Sequence, residues 1–187
     1  FAENTAEAYQ FTREAQDEFA VASLKRARTA TEEGDFKAEV VPVTVKHRKG
    51  ETVVERDEQP FKANIEKIPS LRPVFREGGT VTAANSSSIS DGAAALVLMR
   101  LTEAEKRGLT PLAAIRAHAS HAQAPEWFTT APVGAIRKVL EKTGWDKDEV
   151  ELFEINEAFA VVTMAAMRDL DLDHARVNVH GGACALG

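Results

Sequence analysis

The chain has a single cysteine, a single tyrosine and two tryptophans among 187 residues. A lone Cys184 excludes a disulfide within the chain and favours a reducing compartment, so a cytoplasmic location is expected. Long apolar runs are missing as well. None approaches the roughly 18 residues that span a bilayer as a helix, and no membrane segment is expected. Excess positive charge is absent: 29 acidic residues outweigh 23 Lys and Arg, for a formal net charge of −6. Nonspecific nucleic-acid binding, which rests on a basic surface, is therefore excluded. No dinucleotide-binding glycine fingerprint, short-period repeat or low-complexity tract occurs. No metal site is expected, because His118 and His121 stand three apart without a Cys or carboxylate following at ligand spacing. Phe1 is not a Met, and no leader pattern is visible there.

What remains is an ordinary soluble composition, with 44% hydrophobic and 28% charged residues. The length admits one large domain or two small ones. Thr12 reads as the cap of a first helix, with an apolar stripe at Ala15, Phe19 and Ala22 and Gly34 beyond its end. Asp17 sits in its first turns, and Lys25, Arg26 and Arg28 read as the basic last turns. Residues 40–45 and 51–54 read as two strands about a turn at 47–50, with Pro42 marking a strand start or an edge. Residues 56–79 are polar and poorly periodic, the kind of long irregular segment that is often functional.

Beyond Asp91-Gly92 the character changes. Ala93 to Met99 predicts a strand buried on both faces, and Leu112 to Ala119 a second. Between them, Thr102 to Glu105 fits a capping box and Gly108 a helix end. A helix is expected from Pro132 to Gly144, with Val133, Ile136 and Leu140 on one face. Val150 to Ile155 then reads as a strand, Ala158 to Leu170 as a helix and 177–179 as a strand. This alternation predicts an α/β fold with crossover connections, divided near residue 90.

Several residues can carry chemistry. Asn156 falls between a strand and a helix, where it can cap the helix or aim its amide at a bound water or a developing oxyanion. Glu157 reads as a first-turn acid that favours the helix dipole. Gly182 and Gly187 bracket four residues as in the opening of a phosphate-binding loop, yet Ala-Cys-Ala-Leu between them is too apolar for that role. Cys184 between two alanines reads as a small buried residue rather than a nucleophile. The segment from Gly79 to Gly92 is a Ser-rich turn, or the lining of a narrow tunnel.

Four segments together resemble the thiolase family, in that family's order and spacing: Gly79-Thr80-Val81-Thr82-Ala83-Ala84-Asn85-Ser86-Ser87, Ser90-Asp91-Gly92-Ala93-Ala94-Ala95, Asn156-Glu157-Ala158-Phe159-Ala160, and Asn178 to Gly187. Arg13 to Ser23 is similar, less sharply, to the helix leading into the loop domain that covers coenzyme A. The resemblance implies a partial thiolase-like layered α/β fold, with residues 1–90 as the loop domain and 91–187 as the first half of the C-terminal domain. It also implies that the catalytic His follows Gly187 and that the nucleophilic Cys belongs to a preceding domain, so the 187 residues alone are expected to show no turnover.

The activity implied is reversible thiolysis and Claisen condensation of acetyl-CoA and 3-ketoacyl-CoA through an acyl-cysteine. No cofactor is implied beyond CoA as substrate, and the partners are CoA and acyl-CoA in a homodimer or homotetramer. Carried over by position, Asn156 holds the water that stabilises the enolate oxygen. Ser87 contacts the pantetheine arm, Phe75, Ala83 and Ile89 line its tunnel, and Ala158 and Phe159 wall the acyl end. His180 has no catalytic role, and Lys62, Lys67 or Arg72 replaces the Arg that the family stacks on adenine. The competing reading is a thiolase-derived CoA-binding or oligomerisation fragment without chemistry.

Overall fold

Two helices open the chain, α1 (Ala2–Tyr9) and α2 (Arg13–Glu33); the computed structural model describes residues 1–187. Thr12 caps α2 by accepting the Ala15 N–H at 3.1 Å, and Gly34 ends it in the left-handed region at φ 87°. The helix outruns its basic residues, and these serve as staples instead. The Arg26 guanidinium donates to the Val177 carbonyl at 2.7 Å and the His174 carbonyl at 2.9 Å, and Arg28 to those of Pro60 and Ala63, both at 2.7 Å. The buried face is rotated from the expected stripe. Gln16, Phe19, Ala20, Ser23, Leu24, Ala27 and Ala30 are buried, whereas Ala15 and Ala22 are half-buried. Three polar residues, Gln16, Asp17 and Ser23, share that face because each finds a hydrogen-bond partner there.

Strands β1 (Val43–His47) and β2 (Gly50–Val54) form an antiparallel hairpin with Val43 opposite Val54. The strand starts just after Pro42, which has no N–H for a ladder. A short α3 (Gln59–Lys62) and a 3-10 turn (Ile65–Ser70) interrupt the irregular segment. Four helices follow: α4 (Leu101–Lys106), α5 (Ala131–Thr143), α6 (Ala160–Leu170) and a single turn, α7 (Ala183–Leu186).

Helix α6 is the centre of the packing. Val161 and Ala165 pack with Ala2 and Ala6 of α1, with Phe11 in the turn before α2, and with Val81. Ala166 and Leu170 pack with Val133 of α5 and with Phe153, Ile155 and Val177. A third cluster joins Leu24 and Ala27 of α2 to Ile68 and to Ala185 of α7.

The expected central strands do not form ladders. Residues 91–99 and 110–123 take part in no backbone–backbone hydrogen bond. Leu96, Val97, Leu98, Leu112 and Ile115 are exposed. A strand is a property of a pair, and within these residues the two apolar runs have no segment alongside to accept their N–H groups. The capping box is likewise absent: α4 starts at Leu101, after an Arg100 cap, so Thr102 lies inside the helix. Residues 150–155 and 177–179 keep only one parallel bridge, Phe153 to Val177.

Glu3 shows how the first helix fixes the chain's middle. Only 5% exposed, it accepts the N–H groups of Thr80 and Val81, both at 2.9 Å, and the Thr80 hydroxyl at 3.0 Å. Burial raises its carboxyl, but those three donors and the Arg76 charge outweigh burial and hold it below its ordinary 4.5. The depressed value means stability present above the ordinary range and lost as pH falls through the lowered value. Glu3→Gln should lower the melting temperature at neutral pH and flatten its decline toward acid. An unchanged acid limb would contradict this linkage.

Candidate functional site

From Phe153 to Glu157 burial alternates. Phe153, Ile155 and Glu157 are buried, and Glu154 and Asn156 are exposed. Period two is what extended backbone produces. Phe153 donates to the Arg176 carbonyl at 2.8 Å and accepts from the Asn178 N–H at 2.9 Å. Asn178 then leaves the ladder, in the left-handed region at φ 48°, which an Asn side chain tolerates. Its amide replaces the lost pairing. Oδ1 accepts from the Ile155 N–H, and Nδ2 donates to the Ile155 carbonyl and to Glu157 Oε1, all at 2.8 Å.

Glu157 is fully buried (0% exposed). Besides Asn178, its Oε2 accepts the Ser23 hydroxyl at 2.7 Å and the Cys184 N–H at 3.0 Å. Ser23 in turn accepts the Gly182 N–H at 2.9 Å. A Cβ on Gly182 would stand 2.5 Å from the Glu157 carboxyl carbon, so the carboxylate fits only against glycine. The expectation of a first-turn dipole acid is thus corrected: α6 begins at Ala160 with Phe159 as its cap residue, three positions after Glu157. The same start removes Asn156 as an N-cap.

The Ser-rich segment forms the facing wall. Asn85 is fully buried, accepts the Thr82 N–H at 2.8 Å, and donates to the Thr80 carbonyl and to Asp17 Oδ1, both at 3.0 Å. Asp17 is itself held by Arg13 at 2.7 Å. With that loop fixed, Ser86 bridges Phe159 in antiparallel sense, and the Asn85 carbonyl accepts the Ala160 N–H at 2.9 Å. The Ser87 hydroxyl and N–H both donate to the Ala158 carbonyl, each at 3.2 Å. Phe75 sits edge-on to Phe159, with ring centroids 6.0 Å apart at 72°.

The structure therefore brings Phe75, Ser87, Ala158 and Phe159 to one seam, with Asn156 two residues along it on the exposed side. Ala83 and Ile89 are exposed and belong to none of the buried clusters, and Ile89 is completely uncovered. Lys62 pairs with Glu58 at 3.0 Å, while Lys67 and Arg72 are exposed. His180 lies 3.2 Å from Asp35 and edge-on to Phe36. The phosphate-loop geometry is absent. The Gly182 and Cys184 N–H groups are already taken by Ser23 and Glu157, and Ala185 is buried against α2. Burial, then the adjacent Glu157, pushes the Cys184 thiol well up, so it stays protonated.

Sequence reasoning missed Glu157, Asn178, Asn85 and Ser23 as buried polar anchors. One signal was available: Glu157 continues the i, i+2 series of Phe153 and Ile155, and so falls on the core face.

Two family models match the chain. The model described as "Thiolase, N-terminal domain" matches residues 1–102, and "Thiolase, C-terminal domain" matches 109–187. The chain belongs to the thiolase family. An acetyl-CoA acetyltransferase of Paracoccus denitrificans is 48% identical over 187 residues, 100% of this thiolase chain and 48% of that protein. The crystal structure of the Bacillus anthracis acetyl-CoA acetyltransferase superposes with a TM-score of 0.96 at 44% identity, over 100% of this chain and 48% of that one. A thiolase of Ascaris suum solved in complex with coenzyme A follows at 0.93 and 43%, with the same coverage. This thiolase chain thus spans about half the length of these relatives, and its fold is that part of the thiolase fold.

Proposed function

We propose that the full-length protein is an acetyl-CoA C-acetyltransferase or 3-ketoacyl-CoA thiolase. It cleaves 3-ketoacyl-CoA with CoA, and in reverse condenses acetyl-CoA, through an acyl-cysteine. The observation that carries this reading is the exposed Asn156 beside the seam of Ser87, Ala158, Phe75 and Phe159, in a chain of this family. Asn156 is then the amide that, through water, stabilises charge on the thioester oxygen as it forms. Ser87 meets the pantetheine arm, Phe75, Ala83 and Ile89 line its path, and Ala158 and Phe159 bound the acyl group. Cys184, half-buried in the structure, takes no part, because a thiol held protonated is a poor nucleophile. The nucleophile and the base come from the portions of the longer protein outside these residues. Coenzyme A is substrate, with no cofactor. The division at residue 90 into loop domain and C-terminal domain, assembly as a homodimer or homotetramer, and a cytoplasmic location complete the proposal. No helix is long and apolar enough to cross a membrane.

Ser87→Leu tests the seam as a ligand path. Ser87 is exposed, so the fold should tolerate the change. The added bulk should raise KM for acyl-CoA about tenfold, the equivalent of ~1.4 kcal/mol of lost binding. An unchanged KM in the folded variant would place the ligand elsewhere.

A further inference from the structure

Glu157 has no role in the chemistry above, yet it is the most heavily engaged buried carboxylate near Asn156. Three donors from three separate parts of the chain converge on it: the Ser23 hydroxyl of α2, the Asn178 amide and the Cys184 N–H of α7. An apolar side chain of equal size would leave all three without an acceptor, which is costly in a buried site. Asn156 immediately precedes it and points to the opposite side of the extended segment. Ala158 immediately follows and receives Ser87. We infer that Glu157 is a positioning residue: its carboxylate clamps residues 156–158 against α2 and the 178–184 segment, and so fixes the direction in which Asn156 and the Ala158 carbonyl meet the seam. The inference deepens the reading proposed for Asn156 and rests on it.

The test is Glu157→Gln in the full-length enzyme. Glutamine keeps the shape but offers one acceptor oxygen. Its NH2 must face either the Cys184 N–H or the Asn178 NH2, setting donor against donor. Slight misplacement of Asn156 should lower kcat about 10- to 100-fold, with little change in KM for acyl-CoA. In an Asn156→Ala background the same change should cost no further turnover, since the group it positions is gone. Wild-type kcat in Glu157→Gln, or an undiminished loss in that background, overturns the inference. The crystal structure of Glu157→Gln gives a reading independent of turnover. Asn156 should shift or occupy more than one rotamer, and a single unchanged conformer overturns the inference whatever the enzyme's substrate proves to be. Ser23→Ala, which retains the carboxylate and two of its donors, is the milder variant should glutamine not fold. It should lower kcat in the same direction by less, and wild-type turnover there counts against the clamp. If Asn156→Ala alone keeps full turnover, the role of Asn156 falls, while the crystal structure still decides the clamp.

Discussion

Replacing Asn156 by alanine in the full-length enzyme should lower kcat about a hundredfold, the loss typical of one oxyanion-hole donor, near 3 kcal/mol. Stability should hardly change. Asn156 is exposed, and α6 starts at Ala160 with Phe159 at its cap, so no helix end depends on this side chain. Had it been an N-cap, alanine would cost about 1 kcal/mol of stability and leave turnover intact. Binding of CoA should persist, because an amide in the proposed role acts on charge that appears only as the reaction proceeds. kcat and melting temperature measured on one variant separate the outcomes. Wild-type turnover would remove Asn156 from the chemistry.

The second large effect is structural. Gly181 holds φ at 80°, and a Cβ there would stand 2.5 Å from the Ser23 carbonyl oxygen and 2.8 Å from the Ala27 nitrogen. Both are backbone atoms of α2, which cannot rotate away as a side chain would. Gly181→Ala therefore combines the left-handed penalty of about 1–2 kcal/mol with an overpacking cost of about 1–3 kcal/mol. The full-length protein should lose about 2–5 kcal/mol by denaturant titration. The same displacement would pull Gly182 and α7 off Ser23 and Glu157, so turnover should fall with stability. A wild-type midpoint would mean that α2 does not press on this loop.

Helices α2 and α5 were legible in the sequence because their signals are local; α1 was not, because its cap residue, Phe1, makes no side-chain bond and no basic residue marks its end. Thr12, Gly34, Pro132 and Gly144 mark ends that depend on adjacent residues alone. The hairpin of β1 and β2 was legible too, from Pro42 and the turn at 47–50. The strands expected at 93–99 and 112–119 do not form, because Ala93 to Met99 carries the composition of a buried strand while its pairing depends on chain that does not lie beside it. Along the seam, the sequence pointed to Phe75, Ser87, Ala158 and Phe159, which meet. It did not show that Asn85 and Glu157 each tie one wall to α2, through Asp17 and Ser23. A buried Asn or Glu looks like any surface polar residue until its partners, here Asp17 at 68 and Ser23 at 134 positions' separation, are in place. Only the period-two burial from Phe153 betrayed Glu157. As a first-turn acid it would act only through the helix dipole, a weak local effect. The three hydrogen bonds it accepts proved decisive.

The most direct test of acyl transfer between CoA thioesters is CoA-dependent cleavage of acetoacetyl-CoA by the purified full-length protein. Acetyl-CoA should form at two molecules per acetoacetyl-CoA consumed, a stoichiometry fixed by adding one CoA across the broken carbon–carbon bond. A folded protein that binds CoA yet yields no acetyl-CoA above a no-protein blank would contradict it.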